Sequence, residues 1–432
     1  MKVLMFGWEF PPHIAGGLGT ACEGIVKGLA HNGVETLFVM PSASGDEDQS
    51  ATTIINASDV AVREVSSTVD EFLDKVKFIN VDSSIVPYVD PEEYFEAIER
   101  MKRERVFQTT VGFGQKFKFS GKYGANLLEE VSRYAQVGGT IAMQYNGQFD
   151  VIHSHDWLTY LAGIAAKELT GKPLVVHVHA TSFDRGTDDM VDSRVFAIEK
   201  RGMEAADRVV TVSDLTRNIV INKYGIDPAK VVTVHNAVDF SGRENLHVER
   251  GVKDKVVTFL GRITFQKGPE YFIEAAAKVL KRTKNVRFVM AGSGDMMTRS
   301  IRQVAKLGIS DRFHFTGFLR GQEVQKMFAF SDVYIMPSVS EPFGISPLEA
   351  MRSNVPSIIS HQSGAAEVLK YALKVDFWDV DAMADDIYAL LQYPALASFA
   401  TKQGFDEVNA LKWNGATAKL KKVYESVVSH SK

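Results

Sequence analysis

The stretch EPFGISPLEA, residues 341–350, places Glu341 in a loop after MPSVS and Glu349 where a helix begins. Ser346, Pro347 and Glu349 read as a capping box, with Ser346 at the N-cap, Pro347 at the first helical position and Glu349 at the third. The cap gives Glu349 a structural role worth about 1 kcal/mol. Glu341 has no comparable structural role. The backbone N–H groups around Gly344 and Ile345 lie at the helix start and can meet an anion there. A carboxylate beside a phosphate is repelled, so Glu349 fits such a site only if it turns aside, for instance to a ribose diol.

A second stretch supplies the matching cations. GRITFQKG, residues 261–268, follows an apolar strand and precedes a helix opened by Pro269. Arg262 and Lys267 in one strand-to-helix loop suit an anion with two phosphates. Taken alone they would be two solvated surface charges. AGSGD, residues 291–295 with Gly292 at its centre, ends a neighbouring strand of the same sheet. The three loops are expected on one rim.

In the first half, IAGGLG (14–19) follows the first strand, and Gly16 and Gly17 let a backbone approach a phosphate at a helix start. A dinucleotide fingerprint does not fit. Pro11-Pro12-His13 intervene, Cys22 stands at the third glycine, and the second strand ends in Met40-Pro41-Ser42 rather than an acid. HSHDW (153–157) and HVHA (177–180) are both H-x-H at strand ends, so each pair shares a strand face. Zinc is the tempting reading. No further cysteine or H-E-x-x-H helix accompanies them, so no metal is expected, and local hydrogen bonding is the plainer role. Asp156 and His179, at the carboxyl tips, are the pair expected to face a ligand.

The elements that must hold these residues repeat as strand, loop, helix. KVLMFGW, ETLFVMP, FDVIHSH, KPLVVHVHA and DRVVTVS read as buried parallel strands in the first half; KVVTFLGR, NVRFVMAGSG, DRFHFTGF and DVYIMPS do so in the second. At 432 residues the chain suits two domains. The charged, apolar-poor stretch 239–255 reads as the linker. The expected architecture is α/β: two doubly wound domains, residues 1–240 and 250–400, with a ligand cleft between them. An excursion at 85–150 interrupts the first. Its aromatics Phe107, Phe113, Phe117, Phe119 and Tyr123 suggest a satellite core or a platform for sugar rings. A net charge of −4 argues against nucleic acid as a partner. No apolar run reaches membrane-span length. A single cysteine, Cys22, favours a reducing, cytoplasmic setting.

E-P-F-G-x-x-P-L-E-A resembles the signature of retaining GT-B glycosyltransferases, which include glycogen and starch synthases and the large GT4 family. GRITFQKG, AGSGD and GGLG resemble their phosphate, nucleotide and N-terminal glycine loops. HSHDW is similar to a glycogen synthase segment, and SGKYGANLLEE distantly so to another. The resemblance implies two facing Rossmann-like domains and C-terminal helices, 401–432, returning to the first domain with Trp413 as an anchor. It also implies a nucleotide-sugar donor without an obligatory metal. Carried over, Arg262 and Lys267 hold the pyrophosphate, Glu349 the ribose, and Glu341 the transferred sugar. Gly292 lies on the nucleotide side, while Gly16 and Gly17 close on the phosphates through main-chain groups. His179 lies near the reacting face of the sugar, and Asp156 near the sugar or acceptor.

One position departs from the pattern: Ile14 stands where ADP-glucose-using synthases often have lysine, which leaves UDP-glucose or another donor open. The expected activity is transfer of glucose to an α-1,4-glucan. The rivals are hexose transfer to a lipid-linked or envelope oligosaccharide, a sugar-nucleotide 2-epimerase of the same fold, and a non-catalytic binding module.

Overall fold

The structure, a computed structural model, describes residues 1–13, 17–63, 66–77, 114–121, 126–185, 191–238, 251 and 253–430. Gly16, Phe107, Phe113, Tyr123 and most of the expected linker lie outside the described residues. The chain divides into two units, Met1–Ala237 with Trp413–Lys432, and Val238–Lys412.

The first unit is built on a parallel sheet of β1 (Lys2–Phe6), β2 (Glu35–Met40), β3 (Thr53–Asn56), β4 (Val151–His155), β5 (Leu174–Val178), β6 (Arg208–Thr211) and β7 (Val231–Thr233). Its order is β3-β2-β1-β4-β5-β6-β7. Strands buried on both faces need apolar residues at every position, and VLMF of β1 is wholly buried. Alternation sends Leu4, Phe6, Ile152 and Val176 to one face and Val3, Met5, Val151 and Val175 to the other. The second face is covered by the helices Gly17–His31 and Trp413–His430. Trp413 anchors the contact: a Cβ on Gly24 would lie 2.2 Å from its indole, and one on Gly28 would lie 2.6 Å from the Thr417 hydroxyl.

The second unit repeats the plan with β8 (Lys255–Leu260), β9 (Val286–Ala291), β10 (Phe313–Gly317), β11 (Val333–Met336), β12 (Ser357–Ser360) and β13 (Leu373–Val375), in the parallel order β10-β9-β8-β11-β12-β13. In both sheets the strand order reverses once, between β1 and β4 and between β8 and β11. Loops at the carboxyl ends of such flanking strands diverge and leave a crevice for ligands.

Two expectations change. The helix Pro394–Ala410 belongs to the second unit, packed on Ser346–Arg352, so the returning segment starts at Trp413 rather than 401. Tyr393 and Pro394 turn the chain there, and Gly404 admits the Met351 side chain. In the excursion, Phe117 and Phe119 form neither a satellite core nor a platform. Both are buried in the main core of the first unit, where Phe119 meets the Tyr134 ring edge-on at 6.0 Å. The helix Leu127–Gln144, which carries Tyr134, packs along Trp157–Thr170 in that core.

Candidate active site

In the second unit the loops after β8, β9 and β11 are bonded to one another. Gly261 N–H donates to Ala291 O at 3.0 Å, Ile263 N–H to Ser293 O at 2.8 Å, and Val339 N–H to Gln266 O at 2.9 Å. Glycine makes this closeness sterically possible. A Cβ on Gly292 would stand 1.8 Å from Gly261 O, and one on Gly268, at φ +64°, would stand 2.1 Å from Pro337 O. Lys267 and Glu341 therefore meet, from loops on the two sides of the sheet's reversal point, in an ion pair between Nζ and Oε2. Glu341 is buried and also accepts a long hydrogen bond from Ser338 Oγ at 3.4 Å. Its backbone is fixed from both sides, N–H to Gln362 O and O from Gly364 N–H, each at 2.9 Å. Arg262 is half-buried on the same loop, its Nη2 donating to Gln266 Oε1 at 3.3 Å. Gly344, at φ +93°, lies against Glu341: a Cβ there would be 3.1 Å from Glu341 Cγ.

The capping box does not form. Ile345 already has helical backbone angles, φ −81° and ψ −34°, so the helix Ser346–Arg352 takes Ile345 as its N-cap, without a side-chain cap. Gly344 makes the turn, which brings the helix start forward by one residue. The Ser346 hydroxyl turns to Tyr334 instead, whose own hydroxyl is pushed above the usual range by burial. Glu349 is half-buried in the first turn. The Gly344 and Ile345 amides make no backbone hydrogen bond to described residues. A hollow of about 550 Å³ in the same unit, lined by Asn354, Thr401 and Phe405 among others, shares no residue with this cluster.

In the first unit Asp156 and His179 are joined. Asp156 Oδ1 accepts the His179 N–H at 2.7 Å and the Ala180 N–H at 3.3 Å. Asp156 is buried and holds φ +58°, outside the range most side chains adopt. Burial raises its carboxyl to about 7, against the pull of Arg185 and the two amides. Burial also lowers His179 to about 3, so its ring is neutral. Parallel pairing sets His155 opposite His177, which puts His153, His155, His177 and His179 on one sheet face. His155 Nδ1 and His179 Nε2 are 2.9 Å apart, and His153 Nδ1 and the Tyr424 hydroxyl 2.7 Å. His153, His155 and His177 are wholly buried, which pushes each well below the ordinary imidazole range.

Gly17 is exposed at the first turn of its helix, two residues before Gly19, whose N–H donates to Glu9 Oε1 at 3.0 Å. Sequence reading missed Glu9. The signal was a lone acid in GWEFPP, an apolar setting in which a carboxylate needs a helix amide or a cation. It also missed a buried group around Glu199. The Ser182 hydroxyl donates to its Oε2 at 2.7 Å, the Tyr224 hydroxyl joins them, and Arg185 Nη1 lies 3.5 Å from Oε1. No local pattern links those positions.

Two family profiles match the chain: Glycosyltransferase Family 4 over residues 88–241, and Glycosyl transferases group 1 over 243–405. An uncharacterized glycosyltransferase of Methanocaldococcus jannaschii is 29% identical over 384 residues, covering 86% of this chain and 83% of that protein. A D-inositol 3-phosphate glycosyltransferase of Catenulispora acidiphila is 28% identical, covering 66% and 72%. A glycogen synthase of Mycobacterium tuberculosis is 22% identical, covering 92% and 87%. Among solved structures, sucrose-phosphate synthase from Thermosynechococcus elongatus superposes with a TM-score of 0.70 at 16% identity, covering 99% of both chains.

Proposed function

This chain is a glycosyltransferase of the GT-B fold with group 1 and family 4 domains, and from that premise we propose a retaining enzyme that moves glucose from UDP- or ADP-glucose to the non-reducing end of an α-1,4-glucan. The observation that carries the reading is the Lys267–Glu341 pair at the reversal point of the second sheet, with Arg262 on the same loop. As the glycosidic bond breaks, negative charge grows on the leaving diphosphate and positive charge on the sugar ring. Fixed cations stabilise the first without reorganising at the moment of reaction. Arg262 and Lys267 supply them, so the transfer itself needs no divalent ion at the phosphates. Glu341, its backbone and carboxylate both fixed, attends the sugar. Glu349 takes the ribose, and the Gly344 and Ile345 amides meet a phosphate. On the acceptor side, Asp156 fixes the backbone that carries His179. One buried cysteine, Cys22, fits a cytoplasmic setting.

The glucan acceptor draws its support from HSHDW and from the likeness to a glycogen synthase. The likeness to an inositol phosphate glycosyltransferase favours a second reading, a small phosphorylated polyol acceptor. One assay separates them. Labelled UDP- and ADP-glucose are each offered with glycogen, with maltooligosaccharides and with inositol phosphate. Label in polymer supports the first reading; label only in a low-mass phosphorylated product overturns it in favour of the second.

A further inference from the structure

We propose that His153, His155 and His177 bind one divalent transition-metal ion inside the first unit, as a structural centre. One ring nitrogen from each lies within 4.8 Å of one from each of the others. All three side chains are buried, with 0, 0 and 1% exposure. Buried polar atoms nearly always have partners, yet Nε2 of His153, Nε2 of His155 and both nitrogens of His177 have none among the described residues. Four unsatisfied nitrogens on adjacent strands are therefore the anomaly that a ligand would remove.

The nitrogens that do have partners are the ones a metal centre needs held. His153 Nδ1 is bonded to the Tyr424 hydroxyl at 2.7 Å, and His155 Nδ1 to His179 Nε2 at 2.9 Å. If each Nδ1–H donates, each Nε2 keeps its lone pair for the ion. An outer partner on the far ring nitrogen is the usual way a ligating histidine is oriented. Zinc-bound imidazole nitrogens sit about 2.0–2.1 Å from the ion and so roughly 3.3 Å from one another. The His177 ring lies 5.4 Å from those of His153 and His155, at 17° and 25° to their planes, so binding must turn the rings to aim three nitrogens at one point. Three imidazoles without thiolate or carboxylate suit zinc, cobalt or nickel rather than magnesium or calcium. A fourth position is left for water, as in other three-histidine sites. Tyr424 belongs to the returning helix Trp413–His430, so the ion would tie the chain's last helix to the centre of the sheet.

The test uses the full chain, expressed with zinc and purified without chelator. The expected result is about one equivalent of zinc by elemental analysis. Replacing zinc with Co²⁺ should give the intense visible d–d absorption of a four-coordinate site. Removing the metal should lower the melting temperature by about 5 °C or more. His177→Phe keeps an apolar ring in the slot and should lose both the metal and the cobalt spectrum. If that variant fails to fold, the wild-type metal content and cobalt titration decide alone. Metal-free wild-type protein that gives no cobalt band and melts unchanged after chelation would overturn the proposal and leave buried water as the partner of these nitrogens. None of these readouts depends on which sugar or acceptor the enzyme uses.

Discussion

Lys267 and Glu341, 74 residues apart in sequence, form an ion pair at the carboxyl ends of two adjacent parallel strands. The pair places a cation and a carboxylate of the proposed donor site in contact before any substrate arrives. A donor diphosphate would have to share Lys267 with Glu341, which makes each residue's contribution depend on the other.

Lys267→Ala should therefore lower kcat by about 10²–10³, or ~2.7–4 kcal/mol of transition-state stabilisation. Glu341→Gln should also slow transfer, and the double variant should lose less than the sum, because the two side chains act as one unit. Steady-state kinetics of all three variants with UDP-glucose measure this. Wild-type turnover in Lys267→Ala removes that lysine from the mechanism.

Gly268→Ala should cost more than Gly33→Ala. Both glycines have positive φ, +64° and +70°. A methyl on Gly33 meets nothing within 4 Å, so only backbone strain is expected, about 1 kcal/mol. A methyl on Gly268 would meet Pro337 O at 2.1 Å and push apart the loops that carry Lys267 and Glu341. Urea unfolding of both variants, with donor turnover alongside, tests the difference. Equal losses would show that the contact between the loops is not tight.

Gly24→Ala should loosen the returning helix. The added methyl would lie 2.2 Å from the Trp413 indole, and overpacking of this kind costs about 1–3 kcal/mol. Thermal melts and a shift in tryptophan emission report it; an unchanged melt would mean that Trp413 relocates without penalty.

Glu199 gives a pH dependence with a definite sign. Burial holds its carboxyl above the usual range, against Arg185, Ser182 and Tyr224. The folded state then binds this proton more tightly than the unfolded chain, so the Glu199 contribution to stability falls as pH rises from about 4.3 through the folded value. Glu199→Gln should therefore gain stability relative to the wild type as pH rises. Unfolding free energies of both proteins at several pH values from 4 to 8 check it. A stability difference between the two proteins that stays constant over this range would reverse the assignment.

The strands were legible because burial on both faces demands unbroken apolar runs, and the nine strand stretches read from sequence all became strands, from β1 at KVLMF to β11 at VYIM. The short strands β3, β7, β12 and β13, of three or four residues, carried too little pattern to stand out. The placement of Arg262, Lys267 and Glu341 in loops was legible because the apolar runs of β8 and β11 end just before them. The capping box was misread because S-P-L-E fits that pattern locally, whereas the turn at Gly344 starts the helix one residue sooner. Phe117 and Phe119 were misread because a glycine- and charge-rich neighbourhood hides that they pack on Tyr134 and the core helices.

Sequence alone determined the two sheets, the direction of their strands and the chemical types available at their carboxyl ends. These follow from hydrophobic periodicity and side-chain chemistry, which are local. Tertiary structure decided the partnerships: Lys267 with Glu341, Asp156 with the His179 amide, Glu9 with Gly19, and three histidines with one another. Strand order and register set those distances, and both arise from packing between segments far apart in the chain.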